Sequence, residues 1–118
     1  MKNMFKKYII LFSLSMLVSS DFKNLRLLEF TSKTELNKYM KSIQKDLGVK
    51  CKYCHNMDDK SIDTPHKAIT RDMIILTRQI NEYLSSFKKD KEDTHASITC
   101  WTCHKGKTEV EQKRPIEE

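Results

Sequence analysis

Glycine and proline are scarce in this sequence, two of each among 118 residues, and no stretch alternates apolar and polar side chains. An all-β chain, which needs a turn every few residues, is thereby excluded. Core-building side chains are scarce as well: 38% of the chain is hydrophobic, with one Trp and five Phe. One small domain is all that such material supports. Long apolar runs are missing too, since the longest, residues 9–18, falls short of the roughly 20 residues of a comfortable bilayer span. No cysteine lies near the end of that run, which removes the acceptor for lipid attachment.

What the first twenty residues do have is the layout of an export signal. Lys2, Lys6 and Lys7 form a basic start, the apolar run follows, and Val18 and Ser20 fit the small-residue positions for cleavage after Ser20. An uncleaved anchor, holding residues 9–18 in the inner membrane, is the alternative. Either form places the rest of the chain in the periplasm or otherwise outside the cytoplasm.

The formal charge of +6 invites a nucleic-acid reading, which its distribution rejects. Three of the positive charges belong to the leader, and beyond it nineteen Lys and Arg face sixteen Asp and Glu, a formal +3. The two signs are interspersed, as on an ordinary solvated surface.

Helical signals divide the remainder. Ser32-Lys33-Thr34-Glu35 has the capping-box arrangement, Leu36, Met40, Ile43 and Leu47 recur on one helical face, and Gly48 suits the left-handed stop. Thr64-Pro65 announces a second helix, with Thr as cap and Pro at the first position. Its predicted stripe is Ile69, Met73, Leu76, Ile80, Leu84 and Phe87. Residues 88–94 form a charged loop and residues 107–118 a charged tail without means to fold. The expected fold is all-α: a domain over residues 21–106 with two long helices and two short cysteine-bearing helices. Four such elements cannot close a core alone, so something else must supply apolar volume.

All four cysteines fall in two copies of Cys-x-x-Cys-His, Cys51-Lys52-Tyr53-Cys54-His55 and Cys100-Trp101-Thr102-Cys103-His104. Two thiols three residues apart add across the two vinyl groups of one haem, and the adjacent imidazole becomes the proximal iron ligand. Cys51, Cys54 and His55 are the candidates for one covalently bound haem c, and Cys100, Cys103 and His104 for another. One zinc held by four thiolates is disfavoured by the 45 residues between Cys54 and Cys100. Two disulfides, or a thioredoxin-like redox pair, leave the two histidines without a reason. Four propionates from two haems bring the mature chain near neutrality.

Each iron keeps a sixth position, and its occupant separates carrier from catalyst. Met40 and Met73 sit on the two predicted stripes ahead of Cys51 and Cys100, and a thioether there raises the potential and excludes substrates. His66, seven residues before Met73, and His95 are alternative ligands, whereas Met57 lies too close behind His55. Tyr53 and Trp101 can pack on porphyrin edges.

The runs Leu36-Asn-Lys-Tyr-Met40 and Leu47-Gly-Val-Lys-Cys51-Lys-Tyr-Cys-His55 resemble the cytochrome c subunit family of photosynthetic reaction centres. So do Thr70-Arg-Asp-Met73, Ile80-Asn-Glu-Tyr83 and Ile98-Thr-Cys100-Trp-Thr-Cys-His-Lys-Gly106, and the likeness covers roughly residues 25–106. The resemblance implies an axial-Met helix before each attachment motif, with Met40 and Met73 as ligands and haems aligned as an electron wire. The photosynthetic subunit carries four haems and this chain has one pair of motifs. The expectation is a short dihaem relative that exchanges single electrons with redox protein partners in a respiratory or other extracytoplasmic chain. It transforms no substrate. A competing expectation is a small dihaem peroxidase-like enzyme with one open iron position.

Overall fold

The computed structural model describes residues 22–86 and 97–113. The leader or anchor over residues 1–20, Phe87, the loop at 88–94, His95 and the end of the tail from Arg114 lie outside the described residues. Among the described residues there are four helices and no strand: α1 (Lys33–Leu47), α2 (Cys51–Cys54), α3 (Pro65–Ser86) and α4 (Cys100–His104). Two are long and two are short, and each short one carries a cysteine pair.

Helix α1 starts where the sequence places it, by a different device. Ser32 is extended, with φ −104° and ψ 128°, and its carbonyl accepts the Leu36 N–H at 3.1 Å, but its side chain makes no capping bond. Residues 33–35 are all exposed, so water serves the first-turn amides and the Ser32–Glu35 box is not formed. The other end follows expectation. Gly48 adopts φ 65°, and the N–H groups of Gly48 and Val49 return to the carbonyls of Lys45 and Gln44 at 3.3 and 3.1 Å. That bonding closes the helix as a left-handed cap.

The α1 stripe buries as predicted. Ile43 is inside, Leu36, Met40 and Leu47 are packed against it, and Tyr39 meets Phe30 with ring centroids 5.4 Å apart. Leu28, from the irregular segment before α1, and Ile74 of α3 complete the buried set. Among the described residues, three make a very small core.

Helix α3 spans 22 residues, about 33 Å at 1.5 Å per residue, and begins with the predicted cap. The Thr64 hydroxyl accepts the Lys67 N–H at 3.2 Å, and Pro65 opens the helix. Its inward face is only in part the expected one: Ile80 and Leu84 of the predicted stripe are half-buried, but the rest of the described stripe is not. Ile74 is 5% exposed, while Ile69, Met73 and Leu76 stand 55%, 42% and 47% exposed. Polar anchors set this rotation: Thr70 reaches Cys54, Arg71 pairs with Asp63, Arg78 donates to the Leu27 carbonyl at 3.1 Å, and Asn81 clamps Ile98. All four lie on the Ile74 side of the helix, and their bonds hold that side inward.

Packing places each short helix against a long one, α2 on α3 and α4 on α1. The turns at the two glycines interlock: the Gly106 N–H donates to the Asp46 carbonyl at 2.9 Å. A β-carbon on Gly48 would lie 2.1 Å from the Gly106 carbonyl oxygen. Gly48 is therefore required twice, for its positive φ and for this approach.

Candidate functional site

The first cysteine pair opens directly from the α1 cap, with only Val49 and Lys50 between Gly48 and Cys51. Helix α2 is a single turn closed by the His55 N–H bonding to the Cys51 carbonyl at 3.0 Å. The Thr64 hydroxyl, besides capping α3, donates to the Cys54 carbonyl, which ties this turn to the start of the second long helix. The Cys54 thiol lies 3.8 Å from the Thr70 hydroxyl, and the Cys51 thiol 3.7 Å from the Gln44 amide oxygen. One thiol thus faces each long helix.

Between these elements lies an open, mainly apolar pocket. Met40, Cys51, Cys54 and His55 all line it, together with Ile43 and Ile74. The structure therefore brings together the four residues that the sequence nominated as attachment points and axial ligands for the first haem, whereas Tyr53 does not line the pocket. Met57, 55% exposed, is not among them.

The second pair is built by its own local bonding. The Thr99 N–H donates to the Thr102 hydroxyl at 3.0 Å at the start of α4, and the Lys105 N–H returns to the Trp101 carbonyl at 3.0 Å, with Lys105 in the left-handed region at φ 49°. Asn81 positions the approach to this turn through two bonds, accepting the Ile98 N–H at 2.7 Å and donating to the Ile98 carbonyl at 2.9 Å. Burial pushes the Cys100 thiol pKa up, and the Asp46 charge adds to the effect. Cys103 and His104 line an open cavity with residues of the tail, and Met73 is not part of it. The grouping seen at the first pair is not repeated around the second.

The histidines share one feature. His55 Nδ1 lies 3.2 Å from the Lys60 carbonyl and His104 Nδ1 lies 3.0 Å from the Lys107 carbonyl. A carbonyl only accepts, so in each ring Nδ1 carries the proton and the neutral imidazole keeps its lone pair on Nε2. That is the form in which an imidazole binds a metal while its other nitrogen is held by the protein. Both residues thus fit the role of proximal ligand. His66 shows the same bonding, with Nδ1 2.9 Å from the Tyr53 carbonyl, and its ring stacks on Tyr53 at 4.1 Å.

All four thiols are unpaired, and no group of three or more His, Cys, Asp or Glu among the described residues is placed to hold a metal ion. The single-zinc alternative, which needs the two pairs in one place, finds no support in this arrangement.

Sequence reasoning missed the residues that hold the first motif's following loop. Asp63 gathers Arg26 at 3.1 Å, Arg71 at 2.8 Å and Lys67 at 3.7 Å, with Asn24 donating at 2.9 Å. The hydrogen bonds from Arg71 and Asn24 hold its carboxyl below the usual carboxylate range. Burial, and then the Arg71 charge, lower the Lys67 ammonium, which Asp63 opposes. Nothing in hydropathy or spacing singles out this cluster, because ion pairs depend on which loop meets which helix.

No helix among the described residues is long and apolar enough to cross a membrane. No curated protein and no solved structure matches the chain. A family model described as photosynthetic reaction centre cytochrome C subunit matches residues 13–113, a span that takes in both Cys-x-x-Cys-His segments and both long helices. The chain belongs to that cytochrome c family, whose members transfer electrons through covalently bound haem c.

Proposed function

We propose that the chain is an exported dihaem c-type cytochrome that passes single electrons between larger redox partners outside the cytoplasm. Cys51 and Cys54 attach the first haem, with His55 and Met40 as axial ligands. Cys100 and Cys103 attach the second, with His104 and Met73 as axial ligands. The observation that carries this reading is the gathering of Met40, Cys51, Cys54 and His55 around one apolar pocket. The bound haem supplies a one-electron iron couple; the protein sets which ligands the iron sees and how much water reaches it. Two porphyrins also account for a fold that, among the described residues, buries only three hydrophobic side chains and leaves Ile69, Met73, Leu76, Tyr83 and Trp101 exposed.

The outward position of Met73 favours one second reading, in which the second haem keeps an open sixth position and reacts with peroxide. Intact-mass measurement and optical spectroscopy of holoprotein matured in a competent host separate these. Two haems per chain, both low-spin, with the methionine-to-ferric-iron absorption band, are expected for the carrier. Met40→Ala then opens only the first haem and Met73→Ala only the second. A high-spin haem that binds cyanide rapidly in the unmodified protein replaces the carrier by the enzyme. No added tetrapyrrole rejects both.

A further inference from the structure

The carbonyl that holds His55 is shared with a cation. Lys67 Nζ donates to the Lys60 carbonyl at 3.1 Å, to Ser61 at 3.0 Å and to Ile62 at 3.2 Å, and its side chain is 13% exposed. His55 Nδ1 donates to the same Lys60 oxygen from 3.2 Å. We infer that Lys67 is a positioning residue that sets the donor strength of His55, and through it the redox potential of the first haem, by charging the carbonyl to which His55 is bonded. The inference rests on the dihaem reading above.

The chemistry has a definite sign. A strong acceptor on Nδ1–H pushes electron density into the ring and makes Nε2 a better donor, which favours ferric iron. An ammonium on the same oxygen draws density away from it and weakens it as an acceptor for the imidazole. Nε2 becomes a poorer donor, ferrous iron gains, and the potential rises. The positive charge itself, poorly hydrated beside the pocket, acts in the same direction because reduction removes one unit of positive charge from the iron.

The two motifs differ here. His104 bonds to the Lys107 carbonyl, and among the described residues no ammonium or guanidinium donates to that oxygen. The Lys107 ammonium itself turns to Glu111 at 3.8 Å. The effect therefore belongs to the first haem alone. Asp63, 3.7 Å from Lys67, moderates it by partly neutralising the ammonium.

The test is a redox titration of the full holoprotein in which haem-methyl NMR resonances report the two haems separately. With Lys67→Gln, the ratio of reduced to oxidised first haem at a fixed ambient potential is expected to fall by about threefold to tenfold, the latter about 59 mV for one electron. The second haem stays within its wild-type error, and Lys67→Arg restores the first. In the ferrous protein the His55 Nδ1–H resonance moves downfield in Lys67→Gln as its hydrogen bond strengthens, which neither a loosened loop nor through-space charge alone produces. Asp63→Asn, which leaves the ammonium in place, moves the first haem the opposite way and serves if Lys67→Gln fails to mature. An unchanged first-haem ratio, equal shifts in both haems, or a fixed Nδ1–H resonance overturns the inference while leaving two haems by mass. Loss of the dihaem reading itself shows separately, as missing haem mass in the wild type.

Discussion

Replacing Gly48 by Ala asks the most of the geometry. A β-carbon at φ 65° meets the following carbonyl, a penalty of about 1–2 kcal/mol for an L-residue in the left-handed region. Here the added atom would also sit 2.1 Å from the Gly106 carbonyl oxygen and 3.0 Å from its carbon, both backbone atoms that no rotamer change can clear. The Gly106 turn must move, and the bond from its N–H to Asp46 is lost with it, about 1 kcal/mol more. The sum is about 2–3 kcal/mol, which for a domain of this size lowers the thermal midpoint by at least about 8 °C. Gly106→Ala is the control. Its β-carbon meets the Trp101 ring at 3.3 Å, but that side chain is 53% exposed and free to swing, so only the φ penalty remains. Calorimetry of the two holoprotein variants should therefore rank Gly48→Ala below Gly106→Ala. Amide exchange at residues 105–107 should quicken in Gly48→Ala. Equal midpoints, or the reverse order, would refute the claim that these turns are locked through their backbones.

Three further outcomes are expected. Asn81→Ala removes both bonds to Ile98 and leaves a half-buried N–H without its acceptor, so the chain should lose about 2 kcal/mol in denaturant titration; an unchanged midpoint would assign the clamp no weight. Asp63 has its pKa lowered in the fold, so its contribution is present above the ordinary carboxylate pKa and fades as pH falls through the folded-state value, below about pH 4. Wild type and Asp63→Asn should accordingly differ in thermal midpoint near neutrality and converge in acid, and curves that stay parallel would show that the carboxylate charge is irrelevant. A variant lacking all four thiols should be largely unfolded by circular dichroism, because the three buried side chains among the described residues cannot offset the conformational entropy of ordering them; a well-folded product would show the polypeptide to be self-sufficient.

Local signals in the sequence proved readable where the chemistry is local. Gly48 caps α1, Thr64 and Pro65 start α3, and each cysteine pair forms its own helical turn, because the determining atoms lie within a few residues of one another. The grouping of Met40 with His55 was also legible, since α1 and α2 are joined by the short Gly48 turn and the fold-back follows from it. The Ser32 box failed because an exposed helix start has water as an equal partner. Asp63, Asn81 and Lys67 act across separations of 4 to 39 residues, and no pattern of residue types announces such meetings.

The rotation of α3 exposes the deeper limit. Hydropathy marked Ile69, Met73 and Leu76 as part of one apolar stripe, and such a stripe ordinarily turns towards other side chains. The chain turns Lys67, Thr70, Arg71, Ile74 and Asn81 inward instead, and each of the polar four bonds to a segment adjoining one of the cysteine turns. Such bonds are costly to leave unmade in a half-buried setting, whereas an exposed isoleucine or methionine forgoes only its transfer energy, about 25 cal/mol per Å². On the dihaem reading even that loss is recovered, because the outward stripe then covers porphyrin rather than facing water. A periodic apolar face in a chain with too few core residues thus marks where apolar surface will be covered, and leaves open whether side chains or a cofactor cover it.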